Sequence, residues 1–336
     1  MISIRDIHTI VRQYPTNFQS AEIEPLGAAG GMSGAQLWRL SSPAGKLVLR
    51  RWPDEHPSAD QLRFIYEVLF HAESRGIPFV PVPILTTAER SFVPFNGHYW
   101  ELTPWMPGAS DYNASPNPNK LSAAMTALAR FHVAVSDYPA IALPQVSGAA
   151  PAVARRLSRL RELAYRGTAD LAAAIDSGAW PEVAPLAQQF LALLPTALPR
   201  VINELGPLST AILPVQPCVR DIWHDHVLFT GDEVTGIIDF GAMNIDTPAT
   251  DVARLLGSLV HDDEDGWQTG LAAYSKVRPL TALETNAVRA IDRSSTVLAG
   301  INWLRWLYVN GRQFDDREQV VERFRGILKR TQYIAR

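Results

Sequence analysis

Apolar positions recur along the chain with two periods, and the switches between them lay out its elements. Ile4, Ile7, Ile10 and Val11 share one face of a 3.6-residue period and predict an amphipathic first helix. Two strand-like pieces follow within 22–40, joined by the run GAAGGMSG, and residues 46–51 alternate so that Val48 and Arg50 share a face. The helical period returns over 58–76 through Leu62, Ile65, Tyr66 and Leu69, with Ser58 and Gln61 as a capping box and Gly76 as the stop. Prolines extend 79–83, and 92–102 reads as a hairpin turning at Asn96-Gly97.

From there helices dominate. A polar loop over 111–120 leads into a helix over 121–135, and Ala- and Leu-rich helical stretches between 151 and 205 are expected to break at Pro181, Pro195 and Pro199. One more hairpin interrupts them: Val227 to Phe229 as a strand, 230–233 as a turn with Gly231, and the β-branched return 234–238. Asp246-Thr247-Pro248 opens the next helix, and further helices close the chain.

At 336 residues, 47% hydrophobic and 19% charged, the chain has the makeup of an ordinary globular protein. Its net charge of -3 gives no basic footprint, so no nucleic-acid partner is expected. Arg155, Arg156, Arg159 and Arg161 read as a solvated helix face. The single cysteine, Cys218, excludes an internal disulfide and a multi-thiolate metal site, and its apolar setting reads as inert packing. The N-terminal stretch has no continuous apolar core, so neither a signal peptide nor a membrane partner is expected, and a cytoplasmic location is.

The chemistry concentrates in residues 220–241, RDIWHDHVLFTGDEVTGIIDFG. A hairpin there carries Asp221, His226 and Asp239 to one end of a sheet. Asp239 emerges directly from Ile237-Ile238, where a carboxylate is expensive unless a cation or donors meet it. His224 and His226, if they alternate on a strand, also admit a transition-metal hydrolase site, though no third distant ligand is evident. The glycines at 27, 30, 31 and 34 suit a loop whose backbone amides face phosphate oxygens.

Together these segments resemble the aminoglycoside phosphotransferase and choline kinase family, relatives of the protein kinases. Asp221 matches the catalytic aspartate, and Asp239-Phe240-Gly241 the metal-binding motif. Val219 stands where the family has His, and His226 where it has a metal-binding Asn. The resemblance implies an α+β, bilobal protein-kinase-like fold, with a small β-rich nucleotide-binding lobe over 1–104 and a larger, mainly helical catalytic and acceptor-binding lobe over 105–336. It implies ATP as phosphate donor, held by Gly30, Gly31, Ser33 and Gly34, by Val48 and Arg50, and by the hinge at Glu101 and Leu102. Glu67 is expected to pair with Arg50, Asp251 to brace the catalytic loop, and His226 and Asp239 to hold Mg²⁺, with Mn²⁺ the alternative that an imidazole ligand raises. The implied activity is phosphorylation of a small-molecule hydroxyl; the acidic stretch 261–267 offers a place for an amine-bearing acceptor. A catalytically silent nucleotide- or metabolite-binding pseudokinase on the same fold is the alternative.

Overall fold

The computed structural model describes residues 3–19, 22–27, 34–54, 57–139, 150–176, 180–314 and 316–336. In chain order, α1 (Ile4–Val11) precedes strands β1 (Glu22–Gly27), β2 (Gln36–Ser42) and β3 (Gly45–Arg51), then α2 (Ala59–Ser74), β4 (Val93–Phe95), β5 (His98–Pro104) and α3 (Pro118–Ala134). Helices α4 (Pro151–Arg166), α5 (Ala169–Asp176) and α6 (Ala184–Leu205) lead to β6 (Gln216–Cys218), the hairpin β7 (Val227–Thr230) and β8 (Glu233–Ile237), and β9 (Asn244–Asp246). The chain closes with α7 (Ala249–Val260), α8 (Glu264–Ser275), α9 (Ala282–Leu304) and α10 (Arg317–Ala335). It divides into two compact units, Met1–Tyr138 with His224–Asn244, and Pro139–Trp223 with Ile245–Arg336.

The first unit is built on an antiparallel sheet of order β1-β2-β3-β5-β4. Strand alternation sends Trp38, Leu40, Leu47, Leu49, Trp100 and Leu102 to one face, where Ile7, Ile10 and Val11 of α1 cover them. Ile4 departs from the expected stripe and is exposed. At the Asn96-Gly97 turn both residues take positive φ, 51° and 78°, as a two-residue hairpin loop with the right-handed strand twist requires. Ser58 caps α2 by accepting from the Gln61 amide. The reciprocal half of the expected box is missing, because the Gln61 side chain donates to the Met243 carbonyl instead.

In the second unit α4, α6, α7 and α10 pack against α9. Gly300 lets α9 and α6 approach closely, since a Cβ there would lie 2.3 Å from the Phe190 ring. Contrary to the sequence expectation, α6 runs through Pro195 and Pro199 unbroken. Spaced by four, both prolines lie on its exposed face, where solvent can satisfy the carbonyls they leave without donors. Among the described residues no helix is long and apolar enough to cross a membrane.

Candidate active site

The pleat that buries Leu47 and Leu49 turns Val48 and Arg50 to the opposite face of β3, and the register sets Arg50 across from Glu101 and Val48 across from Thr103. These four side chains help line a cavity of about 410 Å³ within the first unit, together with Leu228 and Asp239. The Arg50 guanidinium carbon lies 4.6 Å from the centre of the Trp52 ring. Its Nε is 3.4 Å from a Glu101 oxygen and one Nη is 3.5 Å from Asp239 Oδ1. The Nε is buried without a hydrogen bond, so the guanidinium retains donor capacity inside the cavity wall. Glu101 is 4% exposed and accepts hydrogen bonds from Trp52 Nε1, at 3.2 Å, and from the Tyr66 hydroxyl. Burial pushes its carboxyl pKa up, against the opposing pull of Arg50 and of the Trp52 bond.

Two expectations for this wall are corrected. Glu67 does not partner Arg50; it lies on the exposed face of α2 and accepts a 2.9 Å hydrogen bond from the Tyr138 hydroxyl. The helical period explains this, because Ile65, Tyr66, Val68 and Leu69 take the buried face and leave position 67 outward. Leu102, expected at the hinge, does not line the cavity. It is fully buried in the sheet's opposite face, and its carbonyl accepts from the Ile84 amide. Of the glycine loop, Gly34 is described, with φ at +78°, while Gly30, Gly31 and Ser33 lie outside the described residues.

The β7-β8 hairpin fixes the next two residues. A backbone bond from the Ile238 amide to the His226 carbonyl, 2.9 Å, ties the start of one strand to the end of the other. Asp239 then takes φ +63°, a conformation that aspartate tolerates better than most non-glycine residues, and Phe240 is buried against Phe131 at a ring distance of 5.6 Å. His226 Nε2 stands 3.7 Å from Asp239 Oδ2. A carboxylate and an imidazole at that spacing fit a divalent cation, with an imidazole suiting manganese better than magnesium. The alternating-histidine hydrolase idea fails on geometry. Residues His224–His226 form a short helical turn, not a strand, and His224 Nε2 meets the side chain of Asn113 at 2.7 Å.

Asp221 belongs to the second unit. It lies half-exposed in an ion pair with Arg254. Its loop passes through Arg220 at φ +66°, a conformation costly for a long side chain. Asp251, fully buried on α7, holds that backbone in place by accepting the Val219 and Arg220 amides at 2.7 Å each, as expected of a bracing residue. Asp246, equally buried, accepts from the Ala152 and Thr247 amides at 2.9 and 3.0 Å and from Arg155 at 2.5 Å. Arg220 Nε lies 3.7 Å from the same carboxylate oxygen that Arg155 engages. Burial brings the Arg156 guanidinium down to about 10; Asp246 opposes the fall, and Arg155, Arg254 and Arg220 add to it. Arg155, Arg159 and Arg161 are exposed, as their helical spacing suggests, but Arg155 also reaches Asp246, and Arg156 is drawn inward beside it. Cys218 packs as expected: it is buried, its thiol donates to the Asp246 carbonyl at 3.2 Å, and burial pushes its pKa well up.

In the acidic stretch 261–267 three of the four carboxylates are engaged within the chain. Asp262 pairs with Arg330 at 3.1 Å, Glu264 with Arg289 at 2.6 Å, and Asp263 caps α8. Sequence reasoning gave Glu101 only a backbone role and passed over Arg254 and the carboxylate of Asp246. The available signal was an acid inside the apolar run of β5, the strand that pairs with β3 and its Arg50.

A sequence profile described as the phosphotransferase enzyme family matches residues 24–285. Homoserine kinase of Polaromonas naphthalenivorans is 26% identical over 281 residues, covering 80% of this chain and 77% of that one. Among solved structures, a microcompartment-associated aminopropanol kinase matches with a TM-score of 0.67 at 13% identity, over 97% of this chain and 95% of that one. An aminoglycoside phosphotransferase of Alicyclobacillus acidocaldarius matches with a TM-score of 0.63 at 16% identity, over 100% and 94%. These likenesses bear out the α+β protein-kinase-like fold. Because the profile spans most of the chain, including both aspartate-bearing segments, the protein belongs to the phosphotransferase enzyme family and is a small-molecule kinase.

Proposed function

We propose that the chain transfers the γ-phosphate of ATP to the hydroxyl of a small, amine-bearing alcohol in the cytoplasm, with residues 1–104 as nucleotide-binding lobe and 105–336 as catalytic and acceptor-binding lobe. The observation that carries this reading is the charge arrangement in and beside the apolar cavity: Arg50, Asp239 and His226 within 3.5 and 3.7 Å steps of one another. Apolar walls suit a nucleobase, and charges beside them act more strongly than in bulk water. In this reading Val48 packs on the base, Arg50 holds phosphate, Glu101 positions Arg50, and Gly30, Gly31, Ser33 and Gly34 cover the phosphates. His226 and Asp239 hold Mg²⁺ or Mn²⁺; a bound divalent ion supplies charge neutralisation on the transferring phosphoryl group.

Asp221 orients the acceptor hydroxyl and takes its proton. The hydroxyl oxygen bonds to the γ-phosphorus as the bond to the β,γ-bridging oxygen breaks, and ADP leaves. An amine on the acceptor is supported by the relatives' named substrates, homoserine and aminopropanol, both of which are amino alcohols.

The test is thermal stability with a non-hydrolysable ATP analogue in Mg²⁺, in Mn²⁺ and in neither. Binding to the native state raises apparent stability by mass action, about 2.7 kcal/mol at a hundredfold excess over Kd. A metal-dependent shift, larger in Mn²⁺, is expected. No shift under any condition at saturating nucleotide contradicts the reading.

A further inference from the structure

Around Asp221 the second unit concentrates positive charge of a kind that an amine-seeking pocket does not need. Arg254 meets Asp221 directly, while Arg155 and Arg220 converge on one oxygen of Asp246. Arg156 lies close enough to feel all three, and itself bonds Ser295 and the Ala152 carbonyl. Four guanidinium groups thus share two carboxylates. The third acid of the neighbourhood, Asp251, turns its oxygens to the backbone amides of Val219 and Arg220. Asp246 is sealed from solvent, but the Arg155, Arg220 and Arg254 side chains keep 48%, 30% and 44% of their surface exposed. Each guanidinium presents five N–H donors in a planar fork and spends few of them on its partner. The exposed remainder matches a carboxylate or phosphate group.

We propose that the acceptor alcohol carries an oxyanion, which Arg155, Arg220 and Arg254 bind beside Asp221. Arg254 touches the carboxylate that orients the hydroxyl, so an anion held there sits within one guanidinium's reach of the reacting group. An arriving anion also competes with Asp221 for Arg254, which loosens the ion pair and turns the aspartate toward the acceptor proton. The proposal rests on the reading of Asp221 as the residue that orients the acceptor, and it narrows the acceptor to hydroxy acids, hydroxy amino acids or phosphorylated alcohols. An amine elsewhere on the same molecule is compatible with it.

The experiment uses matched acceptors that differ by the anion alone: homoserine against aminopropanol, serine against ethanolamine, and glycerol phosphate against glycerol. ADP release is followed with the full chain and ATP. The expected result is that at least one anionic member is phosphorylated with kcat/KM at least about a hundredfold above its neutral or cationic partner, as loss of charge-assisted hydrogen bonds implies. The first two pairs report a carboxylate and the third a phosphate. Arg155→Gln and Arg254→Gln, each checked for an intact melting transition, should shrink that ratio about tenfold or more through KM for the anionic member. Arg155→Lys, which keeps the charge and loses the fork, should recover part of it. Ratios near one, turnover confined to the members lacking the anion, or no turnover of any of the six overturns the oxyanion assignment. The kinase reading falls separately, if ATP turnover is indifferent to Asp221→Ala or if nucleotide and metal leave the melting transition unmoved.

Discussion

Asp239 and Asp221 are both half-exposed carboxylates that face an arginine, yet their surroundings differ in kind. Asp239 stands at the wall of an apolar cavity, where Arg50 is backed by a buried Glu101 and stacked on Trp52. Asp221 lies on a braced loop among exposed guanidinium groups whose partner Asp246 is sealed. In the first region low polarity strengthens a few fixed charges, which suits a ligand held in one pose. In the second, solvent reaches both partners of the Asp221–Arg254 pair, weakens it and makes it exchangeable. That suits a ligand that must displace a contact to react.

Substitutions can break this contrast from either side. Of four substitutions away from Asp221, Asp239→Ala should have the largest effect, lowering kcat by about a hundred- to a thousandfold and removing any metal-dependent stabilisation by nucleotide. Unchanged kcat would mean that Asp239 is structural. Asp251→Ala leaves the Val219 and Arg220 amides without their acceptor, and should cost about 2–5 kcal/mol of stability in a urea titration, with the second unit losing hydrogen-exchange protection first. Arg220 then loses the backbone bond that supports its positive φ.

Glu101→Gln should raise KM for ATP by about tenfold with a smaller change in kcat, since it removes the charge behind Arg50. It should also change the pH dependence of stability. Burial raises the Glu101 pKa in the folded state, so the stability its protonated form contributes is complete below the ordinary value of 4.5 and drains as pH rises through the higher folded value. The melting temperature of wild type relative to Glu101→Gln should therefore fall as pH rises from 4.5 upward, and a gap independent of pH contradicts the assignment. Glu67→Gln is the smallest: with its outward side chain bonded to Tyr138, KM for ATP should stay within about twofold. A tenfold rise would restore Glu67 as the partner of Arg50.

The pattern of periods was enough to find the sheet, the helices and both hairpins, because each depends on local chemistry: Ser58 at a cap, Asn96-Gly97 at a turn, alternation in β3. It failed where geometry overrides spacing. Pro195 and Pro199 read as breaks because the sequence does not say that both face solvent. Glu67 and Glu101 differ in which face of its own element each one occupies, outward on α2 and buried on β5, and the sequence pattern did not separate them. Arg156 read as part of a solvated stripe, and Arg155 as no more than that, because Asp246 lies far along the chain and meets them only after folding.

The measurement that bears most directly on the account is transfer of the γ-phosphate from ATP to an alcohol, followed by the phosphorylated product, in wild type and in Asp221→Asn. The substitution keeps size and hydrogen bonding but cannot take a proton. The account predicts a loss of about a hundred- to ten-thousandfold in kcat, with the stabilisation by ATP analogue and metal unchanged. Equal rates in the two proteins would contradict it.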